Sequence, residues 1–293
     1  MYDQIDRNKR NTWILISIFT IVIVLLGWVY GEYSGLGNIG IMFAVLLATT
    51  MNLIGFFRGD KVALMSAGAK EVQKKDAPQL YRLVENLAIT AGIPTPKVYV
   101  IKDPSPNAFA TGRDPEHASV AVTTGLLQTM TKQELEGILA HEISHIKNYD
   151  IRIMTVVIVL VGIVLLLSDI LMRTFIFGGR DNDNRANIAL MVIGIVLAIF
   201  SPIFAQLIKL AVSRSREYLA DASGSLLTRQ PEHLASALEK IAKQDKPLKR
   251  ANHATAHLFI ANPFDPHVTK KFESMFSTHP PIEQRIQQLR SMM

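Results

Sequence analysis

The chain has no cysteine, which excludes disulfides, zinc thiolates and thiol nucleophiles in one step and leaves oxygen and nitrogen as the available metal ligands. It also lacks the G-x-x-x-x-G-K-S/T loop that cradles nucleotide phosphates, so no nucleotide partner is expected. The net charge of +6 is not organised for nucleic acid. Its densest basic cluster, Lys240, Lys243, Lys246, Lys249 and Arg250, has no interleaved aromatics and reads as a solvated helix face. Internal repeats and low-complexity tracts are missing as well. A basic balance does suit a protein lying beside an anionic inner leaflet.

Apolar residues, 49% of the chain, are clustered into blocks at 13–30, 39–57, 153–168 and 186–208. A helix rises about 1.5 Å per residue, so about 20 residues cross a hydrocarbon core of about 30 Å. The first, second and fourth blocks meet that length. The third is interrupted by Asp169, but Ile170, Leu171 and Met172 extend it, and a carboxylate near a helix end reaches the interface. Arg7, Lys9 and Arg10 ahead of the first block resemble the basic start of a signal peptide, yet no small-residue cleavage site follows and a second apolar block comes soon after. An anchored hairpin fits better.

The loop at 31–38 carries no Lys or Arg, whereas basic residues flank the far ends of both blocks, which puts the N-terminus in the cytoplasm. The expectation is a mostly α, integral membrane protein with four transmembrane helices, at about 13–30, 39–57, 153–172 and 186–208. Residues 1–57 and 153–208 form two membrane hairpins, and the segments 58–152 and 209–293 return to the cytoplasm.

In the polar segments, "DAPQLYRLVENLAITA" at 76–91 has helical apolar spacing at 80, 84, 87 and 88, with Asp76 as N-cap and Gly92 as its stop. "KVYVIKD" at 97–103 and "HASVAVTTGLL" at 117–127 are rich in β-branched residues and read as strands of a small sheet. Thr131 and Glu134 supply a capping box that opens a helix through "KQELEGILAHEISHIKN". Further helices are expected over "SREYLADASG", "PEHLASALEKIAKQ" and "PIEQRIQQLRSM", with a loop-rich stretch from Lys246 to Pro280.

The pentapeptide HEISH at 141–145 carries the chemistry. Residues four apart lie one above the other on a helix, so His141 and His145 present two imidazoles to one point, where a zinc ion can sit. Glu142, rotated by about 100°, is placed to act on a metal-coordinated water as general base. Leu135, Ile138, Leu139, Ile143 and Ile146 form an apolar packing face for this helix.

A catalytic zinc takes three protein ligands and leaves one position open. The H-E-x-x-H-x-x-G-x-x-H arrangement is excluded, because Asn148 and Ile151 occupy the decisive positions. Glu217 is the best third ligand, on a segment that emerges on the same membrane face as the His pair. Asp221, one turn on, could accept the far N–H of a ligating imidazole. The plainer reading is that Glu217 and Asp221 neutralise Arg214 and Arg216. Asp150 is either a ligand or the N-cap of the following membrane helix. His253 and His257 in "HATAH" share the four-residue spacing but lack the adjacent acid and lie in loop-like sequence, so they read as non-catalytic.

The motif H-E-x-x-H followed by Asn148-x-Asp150, then R-E-x-x-A-D at 216–221 and T-H-P-P at 278–281, resembles the HtpX family of bacterial heat-shock membrane metalloproteases, relatives of the CAAX prenyl proteases. The likeness spans the whole chain. It implies a cytoplasmic α+β zincin-like (gluzincin) domain in the bacterial cytoplasmic membrane, binding one Zn2+ per subunit through His141, His145 and Glu217, with Glu142 activating water. It further implies that Asn107, Ala108 and Phe109 lie on an edge strand beside the substrate backbone, where the plain reading is an ordinary turn. His279 stabilises the oxyanion by that likeness, with Arg285 in support. Without it, His279 is a helix-entry residue before two prolines.

The expected function is zinc-dependent cleavage of misfolded or damaged membrane proteins and their cytoplasmic regions, with protein substrates and the lipid bilayer as partners and a homo-oligomer as an option. A metal-binding membrane sensor or transporter without peptidase activity is the alternative. A processing enzyme for prenylated tails is a third, weakened by the absence of the additional spans that enclose a chamber in those relatives.

Overall fold

The structure, a computed structural model, describes residues 2–160, 162, 214–243, 248, 258–260 and 280–293. Two long helices, α1 (Tyr2–Ser34) and α2 (Asn38–Ser66), form an antiparallel hairpin. Within it, Ile5–Glu32 and Asn38–Ser66 are long and apolar enough to cross a membrane, and they contain the first two expected spans. At about 1.5 Å per residue, α1 is about 50 Å long and outreaches a hydrocarbon core of about 30 Å.

The hairpin closes on small residues. A Cβ added to Gly40 would lie 2.7 Å from the Gly31 Cα, so only glycine permits this backbone approach. Asn52 Nδ2 donates to Thr20 Oγ1 at 2.8 Å between the helices. Large apolar side chains on the outer faces, among them Trp13, Phe43, Leu46 and Phe57, are more than half exposed. A face of that composition suits lipid rather than water.

Residues 150–160 are helical and pack back on the hairpin, where Val159 and Thr155 sit against Gly55 and Gly59. The remainder of the third apolar block and the whole of the fourth lie outside the described residues. Among the described residues, therefore, two helices qualify as spans.

The sheet has four strands, β1 (Ala69–Glu71), β2 (Lys97–Ile101), β3 (Ala108–Gly112) and β4 (Ala118–Thr123), in the order β1-β2-β4-β3. Only β2 and β4 are parallel. The β-branched run expected as a strand over 117–127 stops at Thr123. Its hydroxyl accepts from Leu126 N at 3.1 Å and so caps a short helix, α4 (Thr124–Thr129). Helix α3 (Pro78–Ala91) buries Leu80, Val84, Leu87 and Ala88 as its spacing predicts and ends at Gly92. Its N-cap is Ala77 rather than Asp76, because Pro78 takes the first helical position and the Asp76 carboxylate turns back to Gln73 N.

Helix α5 (Lys132–Lys147) opens with the predicted capping box. Glu134 does more than cap. Its carboxylate also accepts from Ser236 Oγ and Lys240 Nζ, both at 2.7 Å, and so ties α5 to α7 (Pro231–Ala242). Helix α6 (Arg214–Thr228) packs along the other side of α5, and α8 (Ile282–Arg290) lies against α7 and α6. Residues 137–146 of α5 are all buried, so this helix is the centre of the domain rather than an amphipathic surface element.

Candidate metal centre

Two helices bring the donors together. His141 and His145 sit one turn apart on α5, and Glu217 comes from the first turn of α6. The close approach depends on Gly224. A Cβ there would stand 2.9 Å from the His141 backbone nitrogen and 3.1 Å from its Cα.

The imidazole Nε2 atoms are 3.1 Å apart. Glu217 Oε1 lies 3.6 Å from Nε2 of His145, and Oε2 lies 3.8 Å from Nε2 of His141. One ligand atom from each of the three residues falls within 4.8 Å of the others, and all three side chains are buried.

Hydrogen bonding on the far side of each ring fixes the tautomers. Nδ1–H of His141 donates to Asp221 Oδ1 at 2.9 Å, and Nδ1–H of His145 donates to Asp150 Oδ2 at 3.0 Å. With each Nδ1–H committed to an aspartate, the two Nε2 atoms face each other at 3.1 Å beside a carboxylate, an arrangement that calls for a proton or a metal ion between them. Tetrahedral geometry with bonds of about 2.1 Å separates ligand atoms by about 3.4 Å, close to the three distances observed. The donor set fits a divalent metal.

Electrostatics agree with that fit. Burial disfavours the charged form of His145, yet the bond to Asp150 and the charge of Glu217 outweigh it and lift its pKa to about 9. The same anions favour a cation at the ring face. Burial likewise opposes the charge on Asp221, but the Arg285 guanidinium holds it well below the usual carboxylate range. Glu142 is pushed up, chiefly by burial, with the two imidazoles pulling the other way. A buried carboxylate of raised pKa beside a metal centre is suited to carrying a proton.

Sequence reasoning and geometry differ in places. Asp150 is neither a first ligand nor only a cap, since it accepts from His145 in the same manner as Asp221 accepts from His141. Arg285 is 1% exposed, and its Nη1 lies 3.7 Å from Glu217 Oε2. Its Nε and Nη2 donate to Asp221 at 2.9 and 2.7 Å, and Nη1 donates to Ile260 O at 3.0 Å. It is an anchor for the carboxylate behind His141.

Asn107 stands immediately before the edge strand β3, and Ala108 and Phe109 begin it, all three buried. The Ala108 carbonyl accepts from Ile260 N at 3.1 Å, and Phe109 meets Phe259 edge-on at 5.2 Å. His279, His253 and His257 lie outside the described residues. Asn8 escaped notice in the sequence. The signal available was a polar pair, Asn8 and Thr12, spaced one turn apart just before an apolar block.

Residues 74–293 match peptidase family M48. A "Protease HtpX homolog" from Dictyoglomus thermophilum is 49% identical over 291 residues, covering 99% of this chain and 94% of its own length. Another, from Caldanaerobacter subterraneus subsp. tengcongensis, is 44% identical over 297 residues, covering 100% and 98%. The crystal structure of S. mikatae Ste24p superposes with a TM-score of 0.50 over 99% of this chain at 17% identity, a likeness of fold. This chain spans 66% of that longer one. With α5, α6 and α8 all inside the matched region and the relatives aligned along nearly their full length, the chain belongs to peptidase family M48, among its HtpX-type membrane-associated metalloproteases.

Proposed function

We propose that the protein is a zinc-dependent endopeptidase of the bacterial cytoplasmic membrane, multi-pass, with its active site facing the cytoplasm, cleaving misfolded or damaged membrane proteins and their cytoplasmic regions. The observation that supports it most is the donor set itself, two imidazole lone pairs and a carboxylate converging at metal-ligand spacing with both far nitrogens held by aspartates. In this reading His141, His145 and Glu217 hold the ion, and Asp221 and Asp150 orient the rings. Zinc in such a site makes water easier to deprotonate and polarises a peptide carbonyl.

Glu142 is the general base. It takes the proton of the attacking water and returns it to the leaving amine, and burial, which raises its pKa, favours its holding that proton in between. A substrate lies extended along β3, the sheet edge at Asn107, Ala108 and Phe109, so that main-chain pairing delivers the scissile carbonyl regardless of side-chain sequence. Pairing at Ala108 exchanges the bond now made by Ile260. His279 supports the oxyanion. The apolar outer faces of α1 and α2 keep the site at the bilayer surface, within reach of membrane-protein substrates and their loops.

The test is cleavage of a membrane-protein reporter by the purified full chain, with zinc, with chelator and as Glu142→Gln. The expected result is one metal per subunit retained in Glu142→Gln with cleavage reduced at least about 100-fold. A chain that cleaves equally well as Glu142→Gln, or that moves metal without cleaving anything, refutes the peptidase reading.

A further inference from the structure

The turn that follows α5 is gripped from the membrane side. Tyr149 there has φ 60°, a left-handed conformation that strains a non-glycine residue. Its ring carries Lys9 Nζ 4.7 Å from the centroid and the Arg152 guanidinium at 5.0 Å. On either side of Tyr149, a single amide from α1 holds the chain. Asn8 Nδ2 donates to the Asn148 carbonyl at 3.0 Å and to Asp150 Oδ1 at 2.6 Å. The other Asp150 oxygen is the one that accepts from His145. Asn8 and Asp150 are each 1% exposed.

Adhesion alone does not call for this arrangement. Apolar residues would dock α1 on the domain, whereas a buried amide is unfavourable unless partnered. The partner it finds is the carboxylate behind a metal-directed imidazole. A ring held on one side by a carboxylate is only as well oriented as that carboxylate, and Asp150 sits at a strained turn whose neighbours are fixed by α1.

We propose that Asn8 is a positioning residue for the metal centre: through Asp150 it directs the His145 Nε2 toward that of His141, so that docking of the first membrane helix and metal affinity are coupled. This rests on the metal-centre reading above. Coupling of this kind is reciprocal, so metal binding strengthens the grip of α1 on the turn by the same factor that the grip strengthens metal binding. Partners one step behind a ligand change metal affinity about 10–100-fold when removed, and Asn8 stands one hydrogen bond further out, which places its effect near tenfold.

The experiment measures the zinc dissociation constant of the full chain in detergent by competition with a chelating indicator. Asn8→Ala is expected to bind zinc about tenfold more weakly, and to lose that effect in an Asp150→Ala background, because both changes act on one path. Thr12→Val is the control. Among the described residues the Thr12 hydroxyl bonds the Asn8 backbone carbonyl alone, at 2.8 Å, so its loss perturbs the same buried face of α1 without touching Asp150 and leaves zinc affinity within twofold. Wild-type affinity retained in Asn8→Ala, or a tenfold loss that persists without Asp150, overturns the proposal. If Asn8→Ala cannot be recovered folded, the wild-type protein answers: zinc must slow backbone amide exchange over residues 8–12, and unchanged exchange overturns the coupling. A wild-type chain that binds no zinc removes the metalloprotease reading instead, and the two failures are told apart at that first measurement.

Discussion

Replacing Gly224 by alanine separates the geometry of the metal centre from the stability of the fold. The added Cβ would stand 2.9 Å from the His141 nitrogen, where ordinary contact begins near 3.4 Å, so α6 must retreat from α5 by about 0.5 Å. Both partners are backbone in helices, and neither can give way by rotating a side chain. Glu217 lies two turns from Gly224 and Asp221 one turn, so a rigid retreat carries both away from the His pair. The separations of 3.6 and 3.8 Å then widen further beyond the roughly 3.4 Å of an unstrained tetrahedral site. A misplacement of about 1 Å reduces rate about 100-fold, so half of that predicts about a tenfold loss of cleavage, with zinc affinity falling by a similar factor. Stability moves much less. Overpacking destabilises by about 1–3 kcal/mol, while alanine is favoured over glycine in a helix by about 1 kcal/mol. The assay pairs zinc competition and reporter cleavage with thermal melting. A Gly224→Ala protein that binds zinc and cleaves like the wild type refutes the claim that this glycine sets the ligand spacing.

Arg285→Met leaves Asp221 buried without its guanidinium and is expected to destabilise the fold by about 3–5 kcal/mol, read as a lowered melting temperature. Arg285→Lys recovers little, since an ammonium cannot reproduce two parallel bonds. Glu134 has its pKa held at about 2 by the bonds to Lys240, Ser236 and Thr131, against an opposing contribution from burial. Its folded pKa lies below the ordinary 4.5, so its stabilisation is complete above about pH 4.5 and is lost as pH falls toward 2. Glu134→Gln should therefore lower stability by about 1–2 kcal/mol at neutral pH, and the gap to wild type should close on acidification in pH-resolved melts. A gap that stays constant down to pH 2 refutes the assignment.

The legible part of this protein was whatever the chain encodes locally. The capping box of α5, the helical spacing of α3, and the two imidazoles one turn apart follow from offsets of three or four residues. Glu217 was reached for a different reason, since the expected topology, with two apolar runs between it and HEISH, put both on one side of the membrane. What local pattern could not give was the set of contacts made across long stretches of sequence. Arg285 reaches Asp221 over 64 residues and Asn8 reaches Asp150 over 142, and neither pairing leaves a trace in periodicity. The strand expected over 117–127 failed because β-branched composition does not reveal that Thr123 can turn its hydroxyl to the backbone and start a helix.

Charge explains why those distant residues are needed. Glu142, Asp150, Glu217 and Asp221 are each at most 2% exposed, and four carboxylates cannot all stay ionised in so little solvent without compensation. Arg285 and Arg216, at 1% and 7% exposure, and the His145 imidazole, whose pKa the neighbouring anions lift, supply compensating positive charge. A divalent ion in place of the His145 proton would supply the same compensation. The guanidiniums are thus not free to be anywhere: one must hold Asp221 so that His141 keeps its lone pair forward, and the fields of Asp150 and Glu217 act on the other. A cluster balanced this way is assembled from α5, the helical stretch that begins at Asp150, α6 and α8, with Asn8 of α1 holding Asp150, so under the coupling proposed above its ligand geometry and the docking of the membrane hairpin become a single structural requirement.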